Sequence, residues 1–352
     1  MDGDGSRKSS GSGCGCLVFV LAFVILALSG FFAVKSMGYS SVNNPIYLFN
    51  IPEGYIRDAY DFALSSKSGF AGMLGLEASL FQGDDLEEYN PAVIERAKKE
   101  EASGRPDEAV RADADEYAGY FSCVLDGIVG NYRYKTVKRE KRTGERIKTG
   151  SDGRYILDEY GNCVYEKYEY HTEHEVWTDS WGIRAFFPIP AGYTYSHCDD
   201  FGDGRDYKDS TVHEGNDIMA GKGTPVVNIE TGTIEDIGWN EYGGWRIGIR
   251  SLDGKRYFYY AHLDRYAAYT QQGQRVEAGQ VIGYVGDTGY GPVGTSGRFP
   301  PHLHVQIEVA YEGGNTVWID PYHFLRFLEQ SRAQVHDAGN GNYISDSDIR
   351  VE

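Results

Sequence analysis

The run His302-Leu303-His304-Val305-Gln306-Ile307-Glu308-Val309 constrains the chain most, because its apolar residues fall on every second position. Period two belongs to a half-buried strand, so His302 and His304 project from one face, roughly 7 Å apart. Two stretches upstream carry matching chemistry. One is His213-Glu214-Gly215-Asn216-Asp217; the other is Tyr260-Ala261-His262-Leu263, at the end of the β-rich run from Arg256. Zinc is the simplest centre that uses this set. It takes imidazole nitrogen and carboxylate oxygen at roughly 2.0–2.2 Å, and a catalytic zinc keeps three protein ligands and one open position. His213 and Asp217 can supply two ligands, and one histidine of the His302/His304 pair the third. The other member of that pair then stands over the open position, which His262 can reach from an adjacent strand.

Four elements in this order resemble the lysostaphin-type zinc endopeptidases of bacterial peptidoglycan. The H-x-G-x-D motif matches at His213, Gly215 and Asp217, the H-x-H motif at His302 and His304, and the separate histidine at His262. The glycine-rich run from Val276 to Gly286 is similar to that family's hairpin, and the likeness covers about residues 186 to 325. The resemblance implies that His213, Asp217 and His304 are the zinc ligands. It also implies that His262 and His302 are the catalytic pair, deprotonating a zinc-activated water and stabilising the tetrahedral intermediate. The substrate it implies is peptidoglycan peptide, in the stem or the cross-bridge. A non-hydrolytic scaffold of a sporulation or division complex is the alternative from another functional class, since similar membrane-anchored domains serve there. All five motif positions are retained here, which favours the enzyme.

The N-terminus bears on where such chemistry would act. Residues 1–16 are small and polar, a composition expected of a disordered cytoplasmic tail. Leu17 to Val34 then runs 18 residues without a charge, long enough for a spanning helix and longer than the usual signal-peptide core of about 7–15 residues. No A-x-A site follows it, so an uncleaved anchor is expected. Arg7 and Lys8 precede it and Lys35 alone follows closely, which puts the N-terminus in the cytoplasm. The expectation is a single-pass protein of the cell membrane with its catalytic domain extracytoplasmic. A formal charge of −18 leaves no net positive field to collect phosphates, which argues against a nucleic-acid partner. Cys14 and Cys16 sit at the membrane boundary. Cys123, Cys163 and Cys198 lie beyond it, an odd number without C-x-x-C spacing.

The expected fold is a mainly β catalytic domain at 186–330, a twisted antiparallel sheet forming a groove. A linker at 35–54 and a smaller extracytoplasmic α+β module at 55–180 precede it, and a mobile tail at 331–352 follows. Forty-five glycines and 28 tyrosines suit turn-rich β structure. Within the module, helical patterns run over Ile56–Leu64, Pro91–Lys99 and Glu108–Val129, and strand patterns over 132–137, 154–157 and 163–170. Eight Lys and Arg between Arg133 and Lys148 are expected on a solvated hairpin rather than against an anionic polymer, because glutamates are interspersed. A closing helix is expected over Trp318–Glu329. The module is suited to dock a protein partner or to cover the groove, and sequence does not separate these.

Overall fold

The computed structural model describes residues 51–66, 69–80, 89–103, 108–207, 209–311, 315–346 and 349–350. The expected tail 1–16, the expected anchor 17–34 and most of the linker lie outside the described residues. Among the described residues no helix is long and apolar enough to cross a membrane.

Four helices come first: α1 (Glu53–Ser66), α2 (Phe70–Leu80), α3 (Pro91–Ser103) and α4 (Glu108–Leu125). In α1, Tyr55, Ile56, Ala59 and Ala63 are buried, a stripe at helical spacing. Helix α2 has no counterpart among the expected elements. Its residues from Met73 to Ser79 are all buried, so no polar face alternates with an apolar one and no period appears in the sequence. The strands β1 (Val129–Ile147) and β2 (Tyr165–Ile183) then form one continuous hairpin of 19 residues per strand. Its cations are answered across the strands by Arg139–Glu173 at 2.7 Å, Lys141–Glu169 at 2.7 Å and Arg146–Glu166 at 2.8 Å. The basic run is thus a solvated, self-neutralised ribbon. The expected strand at 154–157 is reduced to isolated bridges in the hairpin's tip.

The remaining strands are β3 (Tyr195–Ser196), β4 (Gly204–Tyr207), β5 (Asp209–Val212), β6 (Asn216–Ala220), β7 (Pro225–Val227), β8 (Gly232–Asn240), β9 (Gly244–Ser251), β10 (Arg256–Tyr266), β11 (Arg275–Val276), β12 (Val281–Val285), β13 (His302–Tyr311), β14 (Asn315–Ile319), β15 (Val335–Gly339), β16 (Asn342–Ser345) and β17 (Ile349–Arg350). Ten of them build an antiparallel sheet in the order β11-β8-β9-β10-β13-β6-β3, with β12 joining β10 to β7 and β14 pairing with β13. This is the mainly β fold expected from the sequence. Trp318, expected in the closing helix, lies in β14. Pro321 disfavours helical backbone at the residue before it, so the helix α5 starts only at Tyr322 and ends at Leu328. Where a mobile tail is expected, β15 and β16 form a hairpin whose Tyr343 packs on Tyr284.

One apolar cluster runs through both halves of the molecule, joining Ile56, Leu74 and Phe121 of the helices to Ile249, Phe258 and Phe327 of the sheet and α5. Arg256 stitches the same boundary. It is fully buried, grips Glu230 through two bonds of 2.7 and 2.9 Å, and donates to the Cys123 carbonyl of α4 at 3.1 Å and to Asp253 at 2.8 Å. Gly127, at φ +93°, lets that guanidinium pass: a Cβ there would stand 2.6 Å from Arg256 Nη2.

The helical core also holds a buried charge-capable group. Glu77 is fully buried, and among the described residues neither of its carboxylate oxygens has a hydrogen-bond partner. Burial, reinforced by Asp58 and opposed by Lys98, pushes its pKa up to about 9 from an ordinary value of 4.5. Between those values the folded chain keeps a proton that the unfolded chain has lost, so this group's contribution to stability falls as pH rises. Glu77→Gln is expected to match the parent near pH 4.5 and to melt several degrees higher at pH 8. Thermal melts of both proteins across that range check it; a Tm gap that stays constant with pH would show Glu77 ionised in the fold.

Candidate active site

The register between β6 and β13 places Asp217 directly opposite His304, and directly paired residues share a face of the sheet. His213 arrives from the turn after the β4–β5 hairpin. Gly215 makes that turn possible, because a Cβ on it would lie 2.8 Å from the His304 ring. Three candidate ligand atoms then converge. His213 Nε2 is 3.1 Å from Asp217 Oδ1 and 2.8 Å from His304 Nδ1, and His304 Nδ1 is 2.8 Å from the same carboxylate oxygen. Tetrahedral zinc bonded at roughly 2.0–2.1 Å spaces its ligand atoms by about 3.3 Å, so the triad fits after spreading by half an ångström or less. His213, Asp217 and His304 are also the group among the described residues that can hold a metal ion.

His262 reaches the site by breaking the alternation of its strand. Ala261 is paired with His304, so regular continuation of β10 would send His262 to the core face with Tyr260. Instead the register shifts between Tyr260 and Leu263, and His262 adopts φ +60°. Left-handed backbone at a non-glycine residue costs energy. Here the His262 N–H donating to the Gly243 carbonyl at 2.7 Å helps to hold it. The side chain is thereby turned beside His302, with ring centroids 4.7 Å apart.

Backbone carbonyls fix the tautomers of both rings. His262 Nδ1 donates to Thr288 O at 2.7 Å and His302 Nδ1 to Pro300 O at 2.8 Å. A carbonyl only accepts, so each Nδ1 carries the hydrogen and each neutral ring offers an Nε2 lone pair. His302 Nε2 faces the metal triad, 3.7 Å from Asp217 Oδ1. Phe299 meets the His262 ring at 4.7 Å and Tyr290 stacks on it at 5.8 Å. Burial, with the charges of His302 and His304 adding to it, holds the His262 pKa well below its ordinary value.

The ligands are polarised in a graded way. Burial opposes a charge on His213, yet hydrogen bonds to Asp200 and Asp217 raise its pKa to about 9. Burial likewise opposes the Asp217 carboxylate, but His213 and His304 hold its pKa well below the carboxylate range. For His304 burial outweighs Asp217 and lowers the pKa. All five residues singled out from the sequence meet here. Asp200 and Arg205, which flank the ligands, had no signal in the sequence, since neither belongs to a spaced motif. The site opens into a cleft of about 230 Å³ lined by Arg205, Tyr242, Tyr259, Tyr290 and Gln306 among others. Every lining residue lies between 205 and 306, so among the described residues the helical module and the long hairpin leave the cleft uncovered.

The comparisons with known proteins concern the stretch of chain that carries this site. A family model described as peptidase family M23 matches residues 211–321. The L-Ala–D-Glu endopeptidase of Bacillus subtilis (strain 168) is 47% identical over 149 residues, 42% of this chain and 45% of that protein. Lysostaphin of Staphylococcus staphylolyticus is 38% identical over 123 residues, 35% of this chain and 24% of that one. The chain thus spans less than half the length of these curated relatives. Among solved structures, the catalytic domain of lysostaphin from Staphylococcus simulans is 34% identical, with 38% of this chain and 92% of that one covered at a TM-score of 0.30. The stretch that this family model matches, residues 211–321, holds all five motif positions and the convergent His-Asp-His triad.

Proposed function

We propose that the chain is a membrane-anchored zinc endopeptidase that hydrolyses the stem peptide of peptidoglycan at the L-Ala–D-Glu bond. The observation that carries the hydrolytic reading is the pairing of a three-ligand metal triad with two histidines whose Nε2 lone pairs are fixed beside it. The choice of bond follows the relative named for it, which is 47% identical, against 38% for lysostaphin. The anchor follows from the 18 uncharged residues of Leu17 to Val34, and it puts the cleft on the outer side of the membrane.

His213, Asp217 and His304 would hold the zinc, which supplies Lewis acidity toward the scissile carbonyl and a water acidic near neutral pH. The chain's own groups do the rest. Nε2 of His262 or of His302 takes the proton from the attacking water, which the Thr288 and Pro300 carbonyls permit by keeping hydrogen on Nδ1. The same nitrogen, once protonated, is a donor to the oxyanion and returns the proton to the leaving amine. Burial and the aromatic contacts from Phe299 and Tyr290 keep His262 neutral before the reaction and keep its ring in place.

His213→Ala and His304→Ala are expected to lose both bound zinc and hydrolysis, because each removes one of three ligands. His262→Ala and His302→Ala should keep zinc while kcat falls by about 10²–10⁴, the usual worth of a positioned acid–base group. Zinc content measured by atomic absorption beside turnover on purified wall separates the two classes; wall lysis retained by His302→Ala would contradict this assignment.

The bond is tested by mass spectrometry of digests from walls with direct and with glycine cross-links. New amino-terminal glutamate in both is the expected product. New amino-terminal glycine confined to the glycine-bridged wall would move the reading to the cross-bridge, and zinc binding without any product would move it to a scaffold.

A further inference from the structure

The carboxylate of Asp217 is used at both ends. Oδ1 faces His213 Nε2 and His304 Nδ1, at 3.1 and 2.8 Å, and is the oxygen available to a metal. Oδ2 is already occupied: Arg205 Nη2 donates to it at 2.7 Å. The same nitrogen reaches Asp200 Oδ2 at 3.3 Å. Asp200 in turn accepts from Asn216 Nδ2 at 2.8 Å and from the Asp217 N–H at 3.3 Å, and its carbonyl accepts from His213 Nδ1 at 2.9 Å. Arg205 sits on β4, whose pairing with β5 leads directly into the turn that carries His213. Two ligands of the triad are therefore braced by one charged network from outside the metal-facing shell.

From this geometry we propose that Arg205 is a positioning residue for the metal centre, one that holds Oδ2 of Asp217 so that the side chain offers Oδ1 alone. A carboxylate with both oxygens free can close on a cation with two bonds. Two histidines and a two-toothed carboxylate would fill four positions and leave none open, whereas a single carboxylate oxygen leaves the fourth for water or substrate. A charge-assisted hydrogen bond on the second oxygen removes that choice. Partners of this outer kind tune metal affinity by about 10–100-fold when lost. Arg205 also lines the cleft, so the brace stands at the side from which substrate enters. This rests on the zinc reading above, and its readouts are chosen to be independent of hydrolysis.

The test uses the full chain in detergent, as the parent, Arg205→Ala and Arg205→Gln, each stripped of metal and checked for fold by near-ultraviolet circular dichroism. Zinc affinity is read by competition with a chromophoric chelator, and coordination by the visible absorption of the cobalt(II)-loaded proteins. Arg205→Ala is expected to bind zinc about 10–100-fold more weakly, and its cobalt spectrum should change as the second carboxylate oxygen takes the fourth position. Arg205→Gln keeps a neutral donor and should fall between the two; it carries the test alone if the alanine variant does not fold. Affinities within twofold of the parent together with an unchanged cobalt spectrum would overturn the proposal. Failure of zinc to bind the parent itself would instead overturn the zinc reading, so the two failures are distinguishable.

Discussion

Everything at the site depends on the pairing of β6 with β13. Because side chains alternate along a strand, a slip of one residue would send His304 and His302 to the core face and bring Leu303 to the cleft. What pins the register is the other face: Ile218 opposite Leu303, and Val305 and Ile307 beyond, are all completely buried. The apolar half of the strand fixes where its histidines stand. The metal triad is in this sense a by-product of core packing, with the ligands riding on residues that never touch the metal.

Local patterns account for what could be read from the sequence. His302 and His304 on one face, the spacing of His213 to Asp217, and the alternating runs that became β8, β9, β10 and β13 are each decided within about ten residues of chain. Contacts between distant parts account for what could not. Helix α2 lacks a period because it is enclosed on all sides. Arg205 has no motif, since its partner Asp217 lies across a hairpin. His262 is legible as a residue but not as a direction: alternation points it into the core, and only the left-handed bulge, held by Gly243, turns it toward His302. The long hairpin reads as short strands because its outer half is exposed on both faces, so charges rather than apolar residues fill it.

The chemistry of the centre is arranged in layers of decreasing generality. The three ligands can bind a cation on their own. The carbonyls of Thr288 and Pro300 then select one tautomer of each neighbouring histidine, which converts two imidazoles into proton acceptors aimed at the same space. Asp200 and Arg205 add charge to the ligands' far sides. None of these outer groups lies in the H-x-G-x-D or H-x-H pattern, although they decide what the pattern can do.

Arg256 has a consequence for how the molecule can be cut. Its positive charge is buried, and one of its four hydrogen bonds ends on the Cys123 carbonyl at the end of α4. Excising the helices would leave that donor without its acceptor and open to water the apolar surface that Phe121 and Leu74 now cover; a buried donor left unsatisfied costs about 1–3 kcal/mol. The seam near residue 185, where the sequence parts the α+β module from the mainly β domain, is therefore a boundary of composition and not of cooperativity. Helices and sheet should unfold in a single transition, and a protease that nicks the seam would release no independently stable half.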